Sequence, residues 1–250
     1  MPTPSPFSDK IAVVVGASRG LGRGVVEALA ARGARVLALS RSEAALSALT
    51  REVPGTTAVV GDATDDALAE RVLKRDAPDL VVLCAGAMPV LGSLHEQSWA
   101  DFQTNWNVDT KATFVWLGHA LRRPMKRGGH LVVVSSGAAV QGSPVSGGYA
   151  SAKSAQWFMA DYAATESGRA GLELRVHCLL PSLNPSTALG RAGIEAYAKR
   201  AGVTPEEFAK RFDPPLTPEI MGRGVVELFE APERFPRLAY RIGGAGLAAL

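Results

Sequence analysis

The 250-residue sequence predicts an α/β fold, a doubly wound parallel sheet flanked by helices on both faces. Three observations predict it. Short apolar runs alternate with longer helical segments along the chain. Most of the runs are continuously apolar, the pattern of strands covered on both faces. A glycine-rich turn joins the first run to the first helical segment, as in strand–turn–helix units that bind dinucleotides.

The predicted strands, in order, are Ile11 to Val15, Val36 to Leu39, Thr57 to Val60, Leu80 to Leu83, Leu131 to Val134, Leu174 to Leu180 and Leu238 to Ile242. Helical segments lie between them at Leu21 to Ala31, Glu43 to Glu52 and Asp65 to Lys74. A long helical stretch from Ser98 to Met125, broken near Val108, follows the fourth strand. Gly148 to Ser167 and Pro218 to Ala231 complete the set. Strand–helix alternation of this kind builds a parallel sheet, because each crossover lays a helix on a face. Residues 1–250 fit one domain, since single α/β domains reach about 250 residues.

The stretch from Ser182 to Leu216 breaks the rhythm with Pro185, Pro205, Pro214 and Pro215. Thr204-Pro205-Glu206-Glu207 reads as a helix start, with Thr as N-cap and Pro in the first turn. Residues 182–216 are expected to form a helical lid over a substrate, or else a surface excursion with a structural role. GRGVVE occurs at Gly22–Glu27 and again at Gly222–Glu227. With no fixed period and divergent flanks, it reads as two helices of similar composition and not as a repeat architecture.

Composition narrows the function classes. The chain is 47% hydrophobic and 20% charged, which excludes a disordered chain. The formal net charge of +3 is too weak a field to announce a nucleic-acid binder. Cys84 and Cys178 lie in apolar runs and read as buried thiols, with one disulfide as the alternative. No window approaches the ~18–20 apolar residues of a membrane span. The start, MPTPSPFSDK, lacks the basic-then-apolar pattern of a signal peptide, so a cytoplasmic protein is expected.

The turn itself reads Gly16-Ala17-Ser18-Arg19-Gly20-Leu21-Gly22. Gly16 can adopt backbone angles closed to other residues, and Gly20 and Gly22 let a pyrophosphate and a helix backbone come close. Unpaired N–H groups at the helix start then favour an anion. At the end of the second strand stand Ser40-Arg41, where NAD binders usually place an acid. Arg41, with Arg19 in the turn, fits a 2′-phosphate and favours NADP(H), although either arginine alone is more often a solvated surface charge. Asp62, after the third strand, is placed to accept from an adenine amino group or to cap the following helix.

Tyr149 and Lys153 stand four residues apart, on one face of a helix. An ammonium beside a phenol, whose ordinary pKa is ~10, favours the phenolate and makes the group a usable acid/base at a carbonyl or alcohol oxygen. Ser136, at the end of the fifth strand, can hold the same oxygen. The set of Ser136, Tyr149 and Lys153 behind a dinucleotide turn is far more specific than any of its members.

On GASRGLG at Gly16–Gly22, Asp62-Ala63, Cys84-Ala85-Gly86, Ser136 and Tyr149-x-x-x-Lys153, the chain resembles the short-chain dehydrogenase/reductase family over nearly its whole length. The resemblance implies a Rossmann-type domain with a seven-stranded parallel sheet, assembled as a homotetramer or homodimer. It implies Tyr149 as acid/base, Lys153 on the nicotinamide ribose and Ser136 orienting the carbonyl. It also implies cofactor contacts at Gly16, Ser18, Arg19, Gly20, Leu21, Gly22, Ser40, Arg41, Asp62, Ala63, Ala85 and Gly86, continuing through Tyr149 and Lys153 to Pro181, Ser182 and Thr187. Three departures stand out. Cys84 replaces an asparagine after the fourth strand. Asp109, aligned on Phe114, occupies the place of a catalytic asparagine, with Asn107 two residues off; its charge opposes phenolate formation and stabilises Lys153. Ser182 replaces a glycine, so Thr187 or Ser186 is left to supply the hydroxyl that the family uses there.

Met88, Val90, Leu91, Val140, Gln141, Leu183 and Asn184 are expected to wall a partly apolar substrate pocket. The four histidines, His95, His119, His130 and His177, show no metal-ligand spacing, and no metal is expected. The run Arg122 to Arg127 reads as cations at a helix end and not as a polyanion site. The leading expectation is an NADP(H)-dependent ketone reductase or secondary-alcohol dehydrogenase. The alternatives are imine reduction or a non-redox step on the same fold, or a non-catalytic NADP-binding sensor.

Overall fold

The computed structural model describes residues 5–122 and 125–250. Eight strands form one sheet in the order β3-β2-β1-β4-β5-β6-β7-β8. They are β1 (Ile11–Val15), β2 (Arg35–Ser40), β3 (Thr56–Val60), β4 (Leu80–Leu83), β5 (His130–Val134), β6 (Arg175–Pro181), β7 (Ala239–Gly243) and β8 (Gly246–Ala249). The first seven run parallel, and β8 pairs antiparallel with β7. The expected seven-stranded parallel sheet is therefore extended by one strand. Gly243 to Gly246 makes the hairpin turn, and the strand that begins there, Gly246-Leu247-Ala248-Ala249, carries too few large apolar side chains to read as one.

The apolar runs of the inner strands are continuous because these strands feed two cores, whereas β3, at the sheet edge, is mostly exposed. In β1, Val13 and Val15 pack into the cluster under the helices of one face. Ala12 and Val14 pack into the cluster on the other. The helices are α1 (Gly20–Ala31), α2 (Glu43–Glu52), α3 (Asp66–Asp76), α4 (Trp99–Phe102), α5 (Lys111–Leu121), α6 (Ala138–Gln141), α7 (Gly147–Arg169), α8 (Ala188–Ala201), α9 (Pro205–Ala209) and α10 (Pro218–Glu230). Residues from α3, α5 and α7 fill one core, and residues from α1, α2 and α10 fill the other.

The two GRGVVE segments lie in α1 and α10, and these helices pack on each other. A Cβ at Gly222 would stand 2.3 Å from the Gly24 carbonyl oxygen, so the glycines permit a backbone-to-backbone crossing. That close approach explains the shared sequence without a repeat architecture.

The long helical stretch after β4 departs from expectation. It is cut by a turn after α4, and Trp106–Thr110 is wound as a π-helix before α5 begins at Lys111. The helix stops at Leu121, short of Met125. Within the basic run, Arg123 and Pro124 lie outside the described residues. Lys126 pairs with Asp79 at 2.9 Å and Arg127 with Glu173 at 2.6 Å. Residues 182–216 carry α8 and α9 and hold a small core of their own, in which Ile194, Ala198 and Phe208 are buried against Leu183 and Tyr197.

Candidate active site

The sheet order reverses between β1 and β4, and the crevice outside their carboxyl ends is where open α/β sheets bind ligands. Gly16 follows β1 with φ +88, and an added Cβ would meet the Ala85 amide at 2.6 Å, so only glycine fits between the two strand ends. Its amide and that of Ala17 donate to the Leu39 carbonyl, which ties the turn to β2. Arg19 stands at the N-cap of α1 without capping it by its side chain. Among the described residues, the amides of Gly20, Leu21 and Gly22 have no backbone or side-chain acceptor. An uncapped helix start with open donors fits a pyrophosphate. Thr187 lies beside this turn, with its Cγ2 3.6 Å from where a Cβ on Gly20 would be.

At the end of β2, Arg41 is exposed and reaches only to 4.0 Å from Asp62. Asp62 accepts from the Thr64 amide (2.8 Å) and hydroxyl (2.9 Å). The Thr64 amide is the main cause that holds its carboxyl below the usual range, with Arg41 adding to it. Asp65, not Asp62, caps α3, accepting from the amides of Ala67 and Leu68, so the capping alternative for Asp62 is set aside. Ala63 contributes its carbonyl to Trp116 Nε1 at 3.0 Å.

The second half of the site hangs on α7. Gly148 makes its start possible: a Cβ there would lie 2.1 Å from the Phe102 carbonyl oxygen. Trp106 Nε1 donates to Ser151 Oγ at 3.0 Å, fastening the π-helical turn to the same end of α7. Tyr149 is half-buried and Lys153 buried, with Nζ 5.5 Å from the Tyr149 ring centre. Ser136 follows β5, and its Oγ accepts from the Ala138 amide at 3.2 Å. The loop that carries it is joined to α7 by Ser154 Oγ donating to the Ala139 carbonyl at 2.8 Å. It is joined to β6 by the Gly137 amide donating to the Pro181 carbonyl at 3.0 Å.

Beneath the pair runs a buried polar network. Lys153 Nζ donates to Gln156 Oε1 at 2.8 Å and lies 3.1 Å from Asp109 Oδ2. Asp109 is fully buried, and its Oδ1 accepts from the Ala87 amide (2.8 Å) and from Asn105 Nδ2 (3.3 Å). Gln156 Nε2 in turn donates to the Asp109 carbonyl at 3.1 Å. Burial alone would discharge Lys153, but the Asp109 carboxylate overrides it and holds the ammonium above its ordinary value. Asp109 thus reaches the site through Lys153, while Asn107 is exposed. Asn105 and Gln156 were not anticipated. Their signal was a polar residue interrupting the buried face of a helical pattern, visible at Gln156 three residues after Lys153.

The remaining positions divide. Ser186 Oγ donates to Asn184 Oδ1 at 2.7 Å, and Thr187 Oγ1 donates to the Asn184 carbonyl and caps α8 by accepting from the Gly190 amide. Ser182 donates its amide to Ile242 at the edge of β7. Leu183 packs into the core of the 182–216 segment, whereas Met88, Val90, Val140 and Gln141 are exposed. Both cysteines are free, and burial pushes each thiol up to about 12. Among the described residues no helix is long and apolar enough to cross a membrane, and no group of His, Cys, Asp or Glu is arranged to hold a metal.

A family model described as short chain dehydrogenase matches residues 10–194. The chain belongs to that family. L-xylulose reductase of Homo sapiens is 32% identical over 182 residues, covering 72% of this chain and 73% of that protein. Carbonyl reductase [NADPH] 2 of Sus scrofa is 31% identical over 191 residues, covering 74% and 76% respectively. A crystal structure of levodione reductase superposes with a TM-score of 0.81 at 22% identity, over 96% of this chain and 98% of that one, and so supports the fold. As a short-chain dehydrogenase the chain is an oxidoreductase that takes a nicotinamide cofactor and a small-molecule substrate.

Proposed function

We propose that this short-chain dehydrogenase interconverts a ketone and a secondary alcohol with NADP(H), with Tyr149 as the acid/base. The observation that carries the reading is the pairing of Tyr149 with Lys153 at the start of α7, with Nζ 5.5 Å from the phenol ring. The nicotinamide cofactor, when bound, supplies or accepts the hydride. The turn Gly16 to Gly22 would hold its pyrophosphate on the open amides of α1. The Lys153 ammonium already faces Gln156, Asp109 and the Val134 carbonyl, so a ribose hydroxyl would take over the longest of these contacts, the 3.4 Å one to Val134. Ser136 orients the substrate oxygen, and Tyr149 gives it a proton in reduction or takes one in oxidation.

NADP(H) is favoured over NAD(H) by Arg41 and Arg19, with Ser18 and Ser40 beside them, around the place a 2′-phosphate would take. The coenzyme in the printed name of the pig carbonyl reductase points the same way. The names of the relatives, a ketose reductase among them, suit a polar or mixed ketone. Residues 182–216 serve as the lid over that substrate, with Met88, Val140 and Gln141 across from it. The exposed aromatic face of α5 and α7, with Phe114 and Tyr162 more than half exposed, suits self-association into a dimer or tetramer.

The test is coenzyme consumption over a panel of ketoses, cyclic ketones and aromatic ketones. The reading expects turnover with NADPH at least tenfold above that with NADH. Turnover of cyclic imines but no ketone would favour the imine alternative, which the buried charge of Asp109 motivates. NADPH binding without turnover of any of these would leave a sensor.

A further inference from the structure

Asp109 does more in this geometry than fill the place of an asparagine. It is fully buried, and its carboxylate cannot turn away from Lys153. Oδ1 is held by the Ala87 amide and Asn105, and Gly86 closes the other side, where an added Cβ would meet Oδ2 at 2.9 Å. Lys153 is equally fixed, by Gln156 and by the Val134 carbonyl at 3.4 Å.

The groups facing this pair come from every element around it. Tyr149 comes from α7, Asp109 from the π-helical turn, Cys84 from the end of β4 and Cys178 from β6. Both thiols are neutral at physiological pH, because burial raises them to about 12. The ammonium and the carboxylate are then the two charges of the network, and they cancel. An ammonium alone stabilises a neighbouring phenolate; an ammonium with a carboxylate 3.1 Å away does so far less.

We propose that Asp109 is a positioning residue that neutralises Lys153, keeps the Tyr149 hydroxyl protonated and so biases the enzyme toward carbonyl reduction. The proposal rests on the reading of Tyr149 as the acid/base. In reduction the carbonyl carbon gains the hydride from the reduced nicotinamide, and the carbonyl oxygen gains the Tyr149 proton, which solvent replaces. Oxidation reverses both transfers and needs the phenolate first.

The test follows the phenol itself. The chain has four tyrosines, so protein labelled with ζ-13C tyrosine gives a small set of resonances, and Tyr149→Phe assigns the one of interest. In Asp109→Asn this resonance titrates about one pH unit or more below the wild type, a tenfold change in proton affinity. Asp109→Glu, which keeps the charge, stays within about half a unit of the wild type. The double variant Asp109→Asn/Lys153→Met has no charge in the network and titrates with the wild type; buried ion pairs are commonly replaced by apolar groups without loss of the fold. If Asp109→Asn does not fold, Lys153→Met alone serves instead, and it titrates above the double variant. Coincidence of Asp109→Asn with the wild type overturns the proposal, as does coincidence of Lys153→Met with the double variant. Retained turnover in Tyr149→Phe would instead overturn the reading of the site and leave the titration result standing, so the two failures are distinguishable.

Discussion

Gly148 is where the fold and the chemistry meet most tightly, and Gly148→Ala should damage activity more than stability. A Cβ placed there lies 2.1 Å from the Phe102 carbonyl oxygen, whereas ordinary contact begins at 3.4 Å. Restoring that contact requires α7 or the Phe102 backbone to retreat by about 1.3 Å, and Tyr149 is the next residue. A displacement of ~1 Å at a reacting group costs on the order of 100-fold in rate. Overpacking costs about 1–3 kcal/mol, and the better helix propensity of alanine offsets ~1 kcal/mol of it. The net loss, up to about 2 kcal/mol, lowers the melting temperature by at most roughly 8 °C in a chain of this size. Gly147→Ala is the matched control, since its Cβ would meet Phe102 Cε2 at an ordinary 3.4 Å. The assay is steady-state turnover of the best ketone with NADPH, beside a melting curve for each variant. The reasoning is refuted if Gly148→Ala retains turnover within threefold of Gly147→Ala.

Arg41 is exposed and bound only loosely to Asp62, so Arg41→Ala should leave stability unchanged. It should reduce the NADPH-over-NADH preference in kcat/KM about tenfold to 100-fold; an unchanged ratio would remove Arg41 from coenzyme choice. His130 is lowered to about 4, by burial first and then by the charges of Arg175 and His177. A folded value below the unfolded ~6.5 means that its contribution is present above pH ~6.5 and lost as the pH falls through about 4. Denaturant melts should therefore show wild type losing about 3 kcal/mol relative to His130→Phe over that window, and parallel curves would contradict it. Cys178, buried with its thiol raised to about 12, should resist a thiol reagent at pH 8 until the protein is unfolded. Its rapid labelling in the native protein would count against that burial.

The sequence carried most of this architecture because the signals were local. Seven strands announced themselves as apolar runs, and in all but the exposed edge strand β3 the run faces buried core. The glycine turn and the Tyr149–Lys153 spacing were legible for the same reason, as each lies within one turn or one helical step. What stayed hidden was non-local. Whether Gly246–Ala249 pairs with β7 depends on a hairpin closing at the sheet edge. The π-helical winding at Trp106–Thr110 has no residue signature, yet it carries Asp109 to Lys153 while Asn105 reaches the same carboxylate from one turn earlier. Alignment on Phe114 found Asp109 and overlooked Asn105, because it fixed one register where the backbone winds through an extra one. Thr187 and Ser186 read as free hydroxyls, and only the folded loop shows them spent on Asn184 and on the start of α8.

The role of the Tyr149 hydroxyl is tested most directly by deleting that one oxygen. In Tyr149→Phe, NADPH affinity by fluorescence titration should stay within threefold of the wild type, while ketone turnover falls by about 1,000-fold or more. Turnover within tenfold of the wild type, with coenzyme still bound, would show that the proton comes from elsewhere.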